Sequence, residues 1–91
     1  MTEPLILHPK LDLPAAAPLA EELKARLDTD VVLDGGKVTH LGALCLQVIL
    51  SAATSLRRKG HAMTLTNFSD KVVEQMAQMG FTPETLAEGQ A

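Results

Sequence analysis

The most apolar segment of the chain, residues 41–53, limits the fold more than any other feature. Its only polar side chains are Gln47 and Ser51, and no Gly or Pro follows Gly42 within it. Such a run is too long for one buried strand and predicts a helix that the rest of the domain largely covers. The predicted helix spans residues 41–59, and Gly60 supplies its C-terminal stop.

A short strand and a loop precede this helix. Residues 31–34 predict a buried strand, and Gly35 with Gly36 predicts a turn, in which two glycines permit positive φ. In a strand–loop–helix unit the loop lies at the carboxyl end of the sheet, where ligands and partners usually dock. We therefore expect the working surface of the protein within residues 37–47.

Strands and helices alternate along the whole chain. Strands are predicted at residues 5–8, 31–34 and 62–66, and Leu19, Leu23 and Leu27 mark one stripe of a helix that begins near residue 16. A third helix follows residue 69. The βαβαβα order predicts an α/β fold with a small, mostly parallel sheet packed with helices. We expect a single domain over residues 1–91, with a core from 5 to 86 and a flexible tail from 87 to 91.

Composition restricts the classes of function. The chain has 91 residues, a net charge of -3 and two aromatic residues, which argues against nucleic-acid binding. No signal peptide and no membrane-spanning run is recognised, so a cytoplasmic protein that is not embedded in a membrane is expected. The single cysteine, Cys45, lies among aliphatic residues and predicts a buried, inert thiol.

No constellation of catalytic, cofactor-binding or metal-binding residues is recognised in the sequence. His8, His40 and His61 are scattered, without Cys or carboxylates at ligand spacing, so no metal is expected. Gly35-Gly36-Lys37 lacks the spacing of a phosphate-binding loop. The carboxylates form no acid–base pair with a pocket, so neither enzyme activity nor a cofactor is expected.

Four pieces of the chain, in order, resemble the STAS domain, the fold of anti-sigma-factor antagonists. Residues 10–19 are similar to the start of the family's first helix, and residues 31–34 with their glycine turn are similar to its central strand. Residues 39–44, Thr-His-Leu-Gly-Ala-Leu, fall on the family's D-S-x-G-L signature, and residues 64–80 are similar to its closing strand and helix. The resemblance covers residues 10–86. It implies a non-enzymatic regulatory module that binds other proteins.

Residues 41–52 look most like small STAS proteins of bacterial chemotaxis systems. This narrower resemblance implies a module of bacterial signal transduction that binds a histidine kinase or an anti-sigma-type kinase. The partner-binding face would be the signature segment and the first turn of the helix that follows it. Its residues are Thr39, His40, Leu41, Gly42, Ala43 and Leu44.

The signature departs from the family at the residue that is phosphorylated in switching members. Thr39 stands at the Asp position and His40 at the Ser position, whereas Gly42 is retained, so the serine switch is absent. Three interpretations of His40 compete: a helix-start residue that contacts a partner or solvent, a phosphohistidine, and a pH-sensitive contact. The Thr39 hydroxyl is a second candidate phosphoacceptor, although a structural role suits it better.

Two other functions stay open at this stage. One is a phosphotransfer component in which His40 or Thr39 accepts the phosphoryl group. The other is the STAS subunit of a lipid or anion transporter complex. The sequence leaves homo-oligomerisation open, and also whether a strand of the family's usual sheet is missing, because the segment before Asp12 is short.

Overall fold

A computed structural model describes residues 3–89 as two small parallel sheets packed with helices. The strands are β1 (Leu5–Ile6), β2 (Lys10–Leu11), β3 (Val31–Asp34), β4 (His40–Leu41) and β5 (Met63–Thr66). A 3-10 helix (Leu13–Ala15) leads into α1 (Ala16–Lys24), and α2 (Ala43–Arg58), α3 (Asp70–Gln78) and α4 (Pro83–Ala87) follow.

The main sheet has the order β1-β3-β5, and all of its pairs are parallel. Leu5 lies beside Leu33, and Leu33 lies beside Leu65. The predicted alternation of strands and helices and the parallel sheet are confirmed. Helix α2 lies at the centre of a helical layer, where it contacts both α1 and α4.

The pair β2 and β4 forms a second parallel sheet that the sequence did not predict. Each strand has two residues, which is too short for an alternating pattern to be recognised. The first predicted strand, residues 5–8, is also shorter in the structure. Ladder pairing ends with the Leu7 N–H, which donates to the Asp34 carbonyl at 3.0 Å, because Pro9 two residues later has no N–H to donate.

The boundaries of α2 differ slightly from the prediction of residues 41–59. The helix begins at Ala43, because Gly42 is extended at φ -86° and ψ 164° and donates its N–H to the Leu11 carbonyl. Gly60, at φ +83°, follows the C-cap Lys59 and ends the helix as predicted.

Positive φ was the wrong reason for the glycine turn after β3. Among residues 3–89, neither Gly35 nor Gly36 has positive φ. A Cβ at residue 35 would lie 2.5 Å from the Phe68 ring, so the lack of a side chain permits close packing there. The Gly36 N–H donates to Asp34 Oδ1 at 2.8 Å, which closes the turn.

The C-terminal segment packs on α2 within the described residues. Thr82 and Thr85 form a capping box at the start of α4, and Leu86 is fully buried. The Glu88 carbonyl accepts a hydrogen bond from Arg57. The expected flexible tail therefore differs from the structure at residues 87–89, whereas residues 90 and 91 lie outside the described part.

The core beneath the helices is aliphatic. Its innermost members come from β3, α2, α3 and α4, and no polar side chain is buried among residues 3–89. Within the same residues, no helix has both the length and the apolar character required to span a membrane. The fully buried side chains include Leu33, Ile49, Leu56, Val72, Met76 and Leu86.

Candidate functional site

The signature segment, residues 39–44, crosses from β4 into the first turn of α2. Side chains of a strand alternate between its faces, so His40 points to solvent and Leu41 points into the core. Leu41 is 2% exposed. The expectation that Leu41 belongs to the partner-binding face is therefore corrected, because this side chain is used for packing.

Thr39 anchors the segment to the chain before β2. Its N–H donates to the Pro9 carbonyl at 2.8 Å, and its hydroxyl donates to the same carbonyl at 3.2 Å. The residue is exposed, but its hydroxyl already has a partner. This geometry fits the structural role that the sequence favoured for Thr39.

His40 lies in β4, two residues before Gly42, which is the N-cap of α2. It is exposed and stands in register with Lys10 of β2, which is also exposed. Its Nε2 atom lies 3.6 Å from the position that a Cβ of residue 42 would occupy. The imidazole therefore lies above the junction between β4 and α2, with a lysine on the neighbouring strand.

Gly42 has a packing role within the domain. A Cβ at this position would lie 3.1 Å from the Leu11 carbonyl oxygen and 3.9 Å from Asp12 Cα. The Gly42 N–H donates to the same Leu11 carbonyl at 2.9 Å, which holds the two backbones together. Close approach by this chain's own backbone is thus sufficient reason for a glycine at this position.

Ala43 and Leu44 are exposed at the start of α2, and the Leu44 side chain is 47% exposed. A second large apolar side chain, Leu13, is 72% exposed in the 3-10 helix before α1. Contacts of Asp12 with the start of α2 bring these two segments together. Cys45 Sγ donates to the Asp12 carbonyl at 3.3 Å. Leu13 follows Asp12 and Leu44 precedes Cys45, so both leucines flank this contact.

The sequence carries no signal that marks Leu13 or Lys10 as a site residue. Leu13 stands between Asp12 and Pro14 in a segment whose pattern predicts only the start of a helix. Its exposure depends on where the 3-10 helix packs, and the linear pattern carries no signal for that. Register between β2 and β4 likewise depends on a strand pair too short to predict.

Gln75 of α3 is a further residue that supports the site. Its Oε1 accepts the Leu41 N–H at 2.8 Å. The N–H groups of His40 and Gly42 point to the opposite side, toward Pro9 and Leu11. The Gln75 side chain therefore takes the place of a strand on the free side of β4. No local signal reveals this contact, because 34 residues separate the partners.

Cys45 is the inert thiol that the sequence predicted. It is fully buried, and burial together with the nearby Asp12 carboxylate raises its pKa above the ordinary value of 9.0. The thiol therefore stays protonated near neutral pH and donates a hydrogen bond to a backbone carbonyl.

The histidines lie apart from one another. His8 lies 3.9 Å from Glu22, and His61 lies 3.7 Å from Asp30, at the end of the molecule where β3 and β5 begin. Across residues 3–89, no three His, Cys or acidic side chains come close enough to hold a metal ion. The exposed side chains around the signature segment include both apolar and polar types.

A model of the family described as "Mlab, STAS domain" matches residues 5–86. The chain belongs to the STAS family. No curated protein matches the chain. STAS domains are in general non-enzymatic modules for regulation and protein–protein interaction. The fold agrees with this membership, since the parallel sheet, the helical layer and the signature segment before α2 occur in the expected order.

Proposed function

We propose that this STAS domain binds a signalling kinase, of the histidine-kinase or anti-sigma type, in a bacterial chemotaxis pathway. The contact face, which we call the signature face, consists of exposed residues only. They are Leu13, Thr39, His40, Ala43 and Leu44; Gly42, which lies between these strand and helix residues in the chain, is partly buried. A cytoplasmic location follows from such a partner.

The exposure of Leu13 and Leu44, whose chain neighbours Asp12 and Cys45 are joined by a hydrogen bond, is the observation that carries this proposal. Protein interfaces combine an apolar centre, poor in charge, with a polar rim. Here the two leucines supply the apolar centre, and Thr39, His40 and Lys10 supply polar groups beside it. Resemblance of residues 41–52 to chemotaxis STAS proteins supports the choice of a kinase as the partner.

The test is affinity purification of the tagged protein from its native cytoplasm, with mass spectrometry of the retained proteins. We expect a chemotaxis-type kinase to be retained by the wild type and lost by Leu44→Ser. Ile6→Ser is the matched control, because Ile6 of β1 is also 47% exposed but lies outside the signature face. The control should retain the kinase.

Other outcomes of this experiment lead to different conclusions. Retention of a transporter ATPase in place of a kinase would favour a subunit of a lipid or anion transporter. Equal retention of the kinase by Leu44→Ser and the wild type would rule out the signature face as the contact. Far-UV circular dichroism of both variants shows whether a loss of binding reflects a loss of fold.

Phosphotransfer through His40 is the second candidate function. The observation that favours it is the exposed imidazole beside Lys10, whose ammonium group would help to neutralise a phosphoryl group. Incubation with the cognate kinase and ATP should then place acid-labile phosphate on the wild type but not on His40→Ala. Absence of label from the wild type with every cognate kinase would remove this candidate.

A further inference from the structure

The outward side of α2 is unusually poor in charge. No Asp, Glu, Lys or Arg occurs from residue 43 to residue 56, which is roughly four helical turns. Gln47 and Ser51 are nevertheless exposed, and Val48 and Ser55 are partly exposed. A solvated helix face normally carries charged side chains, whereas their depletion marks the centre of a protein interface.

A hollow of about 230 Å³ lies between α1 and α2 beside this uncharged surface. Leu23, Val48 and Ala52 line it, together with Ser51 and Ser55. Grooves between packed helices receive the side-chain ridges of another helix. The hollow and the outward side of α2 together form a surface, here called the α1–α2 face, that another helical layer is able to cover.

Two charges on α1 indicate what covers this face. Glu21 and Lys24 are both exposed, and neither makes an ion pair within residues 3–89. Helix α1 runs alongside α2 in the same direction. Asp12, which precedes α1, contacts Cys45 near the start of α2, and Lys24, at the end of α1, lines the hollow with Ser55 near the end of α2.

A two-fold axis that passes between the Ser51 residues of two copies would place the helices α1 and α2 of one copy antiparallel to those of the other. Glu21 of each copy would then face Lys24 of the other, which gives two reciprocal ion pairs around an uncharged centre. Such self-complementarity is the requirement for a symmetric dimer. We propose that the α1–α2 face, centred on Ser51, is the interface of a two-fold symmetric homodimer.

The dimer proposal does not depend on the kinase proposal. Ser51 lies seven residues beyond Leu44, which is about 10 Å along the helix axis. Its substitution therefore changes the centre of the α1–α2 face without changing the signature face.

Sedimentation equilibrium of the complete chain, from micromolar to near-millimolar concentration, tests the proposal. At high concentration we expect a particle of twice the 9.7 kDa chain mass, which dissociates on dilution. Ser51→Arg would place two like charges at the axis and weaken association at least about tenfold. Gln78→Arg, at an exposed position of α3, is the matched control and should dimerise as the wild type does.

A charge exchange tests the two-fold arrangement itself. Lys24→Glu should weaken the dimer about tenfold, because each copy would then oppose Glu21 with a second carboxylate. Adding Glu21→Lys to that variant restores opposite charges across the axis and should restore the dimer. A monomer at every concentration, a dimer indifferent to Ser51→Arg, or a double variant that stays as weak as Lys24→Glu would each overturn the proposal.

Discussion

Removal of the Gln75 acceptor should weaken the domain at the signature segment. Gln75→Met keeps the length and the helix propensity of the side chain but deletes the oxygen that accepts the Leu41 N–H. Within residues 3–89, no strand lies on that side of β4 to replace the acceptor. The Leu41 backbone, next to His40, would then lose its hydrogen bond to α3.

The size of the effect follows from the burial of this hydrogen bond. The pair is partly buried, and an unsatisfied buried donor costs about 1–3 kcal/mol. Because water reaches a partly buried group, we expect a loss of about 1–2 kcal/mol in the free energy of unfolding. In a domain of this size, that loss lowers the midpoint of thermal unfolding by about 5–15 °C.

Far-UV circular dichroism is the suitable assay, because the chain has no Trp and no Tyr to report unfolding by fluorescence. Gln78→Met is the matched control, since Gln78 is exposed on the same helix and its side chain makes no hydrogen bond within residues 3–89. Gln75→Glu retains an acceptor and should lose less stability than Gln75→Met. Equal midpoints for Gln75→Met and Gln78→Met would refute the reasoning.

Two further predictions concern packing and pH. Gly35→Ala should cost about 1–3 kcal/mol, since its Cβ would displace the Phe68 ring, whereas Gly36→Ala should cost less; urea titration of the two variants compares them, and equal losses would contradict the steric argument. The raised pKa of the Cys45 thiol means that the unfolded chain loses this proton first, so the free energy of unfolding should fall as pH rises through about 9.0. Cys45→Ala removes the thiol and should show a shallower decline over the same pH range, and an unchanged slope would count against the linkage.

Much of the fold follows from patterns local in the sequence. These patterns include the uninterrupted apolar run of α2, the stripe of α1 that contains Leu19 and Leu23, and the glycine that ends α2, Gly60. Each acts within a few residues, so its meaning is readable without knowledge of distant contacts. The alternation of these elements is enough to predict a parallel α/β sheet. For the same reason, Cys45 was correctly expected to be a buried thiol.

Tertiary structure decided which residues of the signature segment face solvent. Two-residue strands carry no readable period, so only the pairing of β2 with β4 turns His40 outward and Leu41 inward. The contact of Gln75 with Leu41 joins residues far apart in the chain, and the exposure of Leu13 depends on where its helix packs. Local propensity determined the main helices and the strands of the larger sheet, whereas contacts between distant elements determined β2, β4 and the exposed surface, because a side chain becomes exposed or covered only when the elements around it have packed.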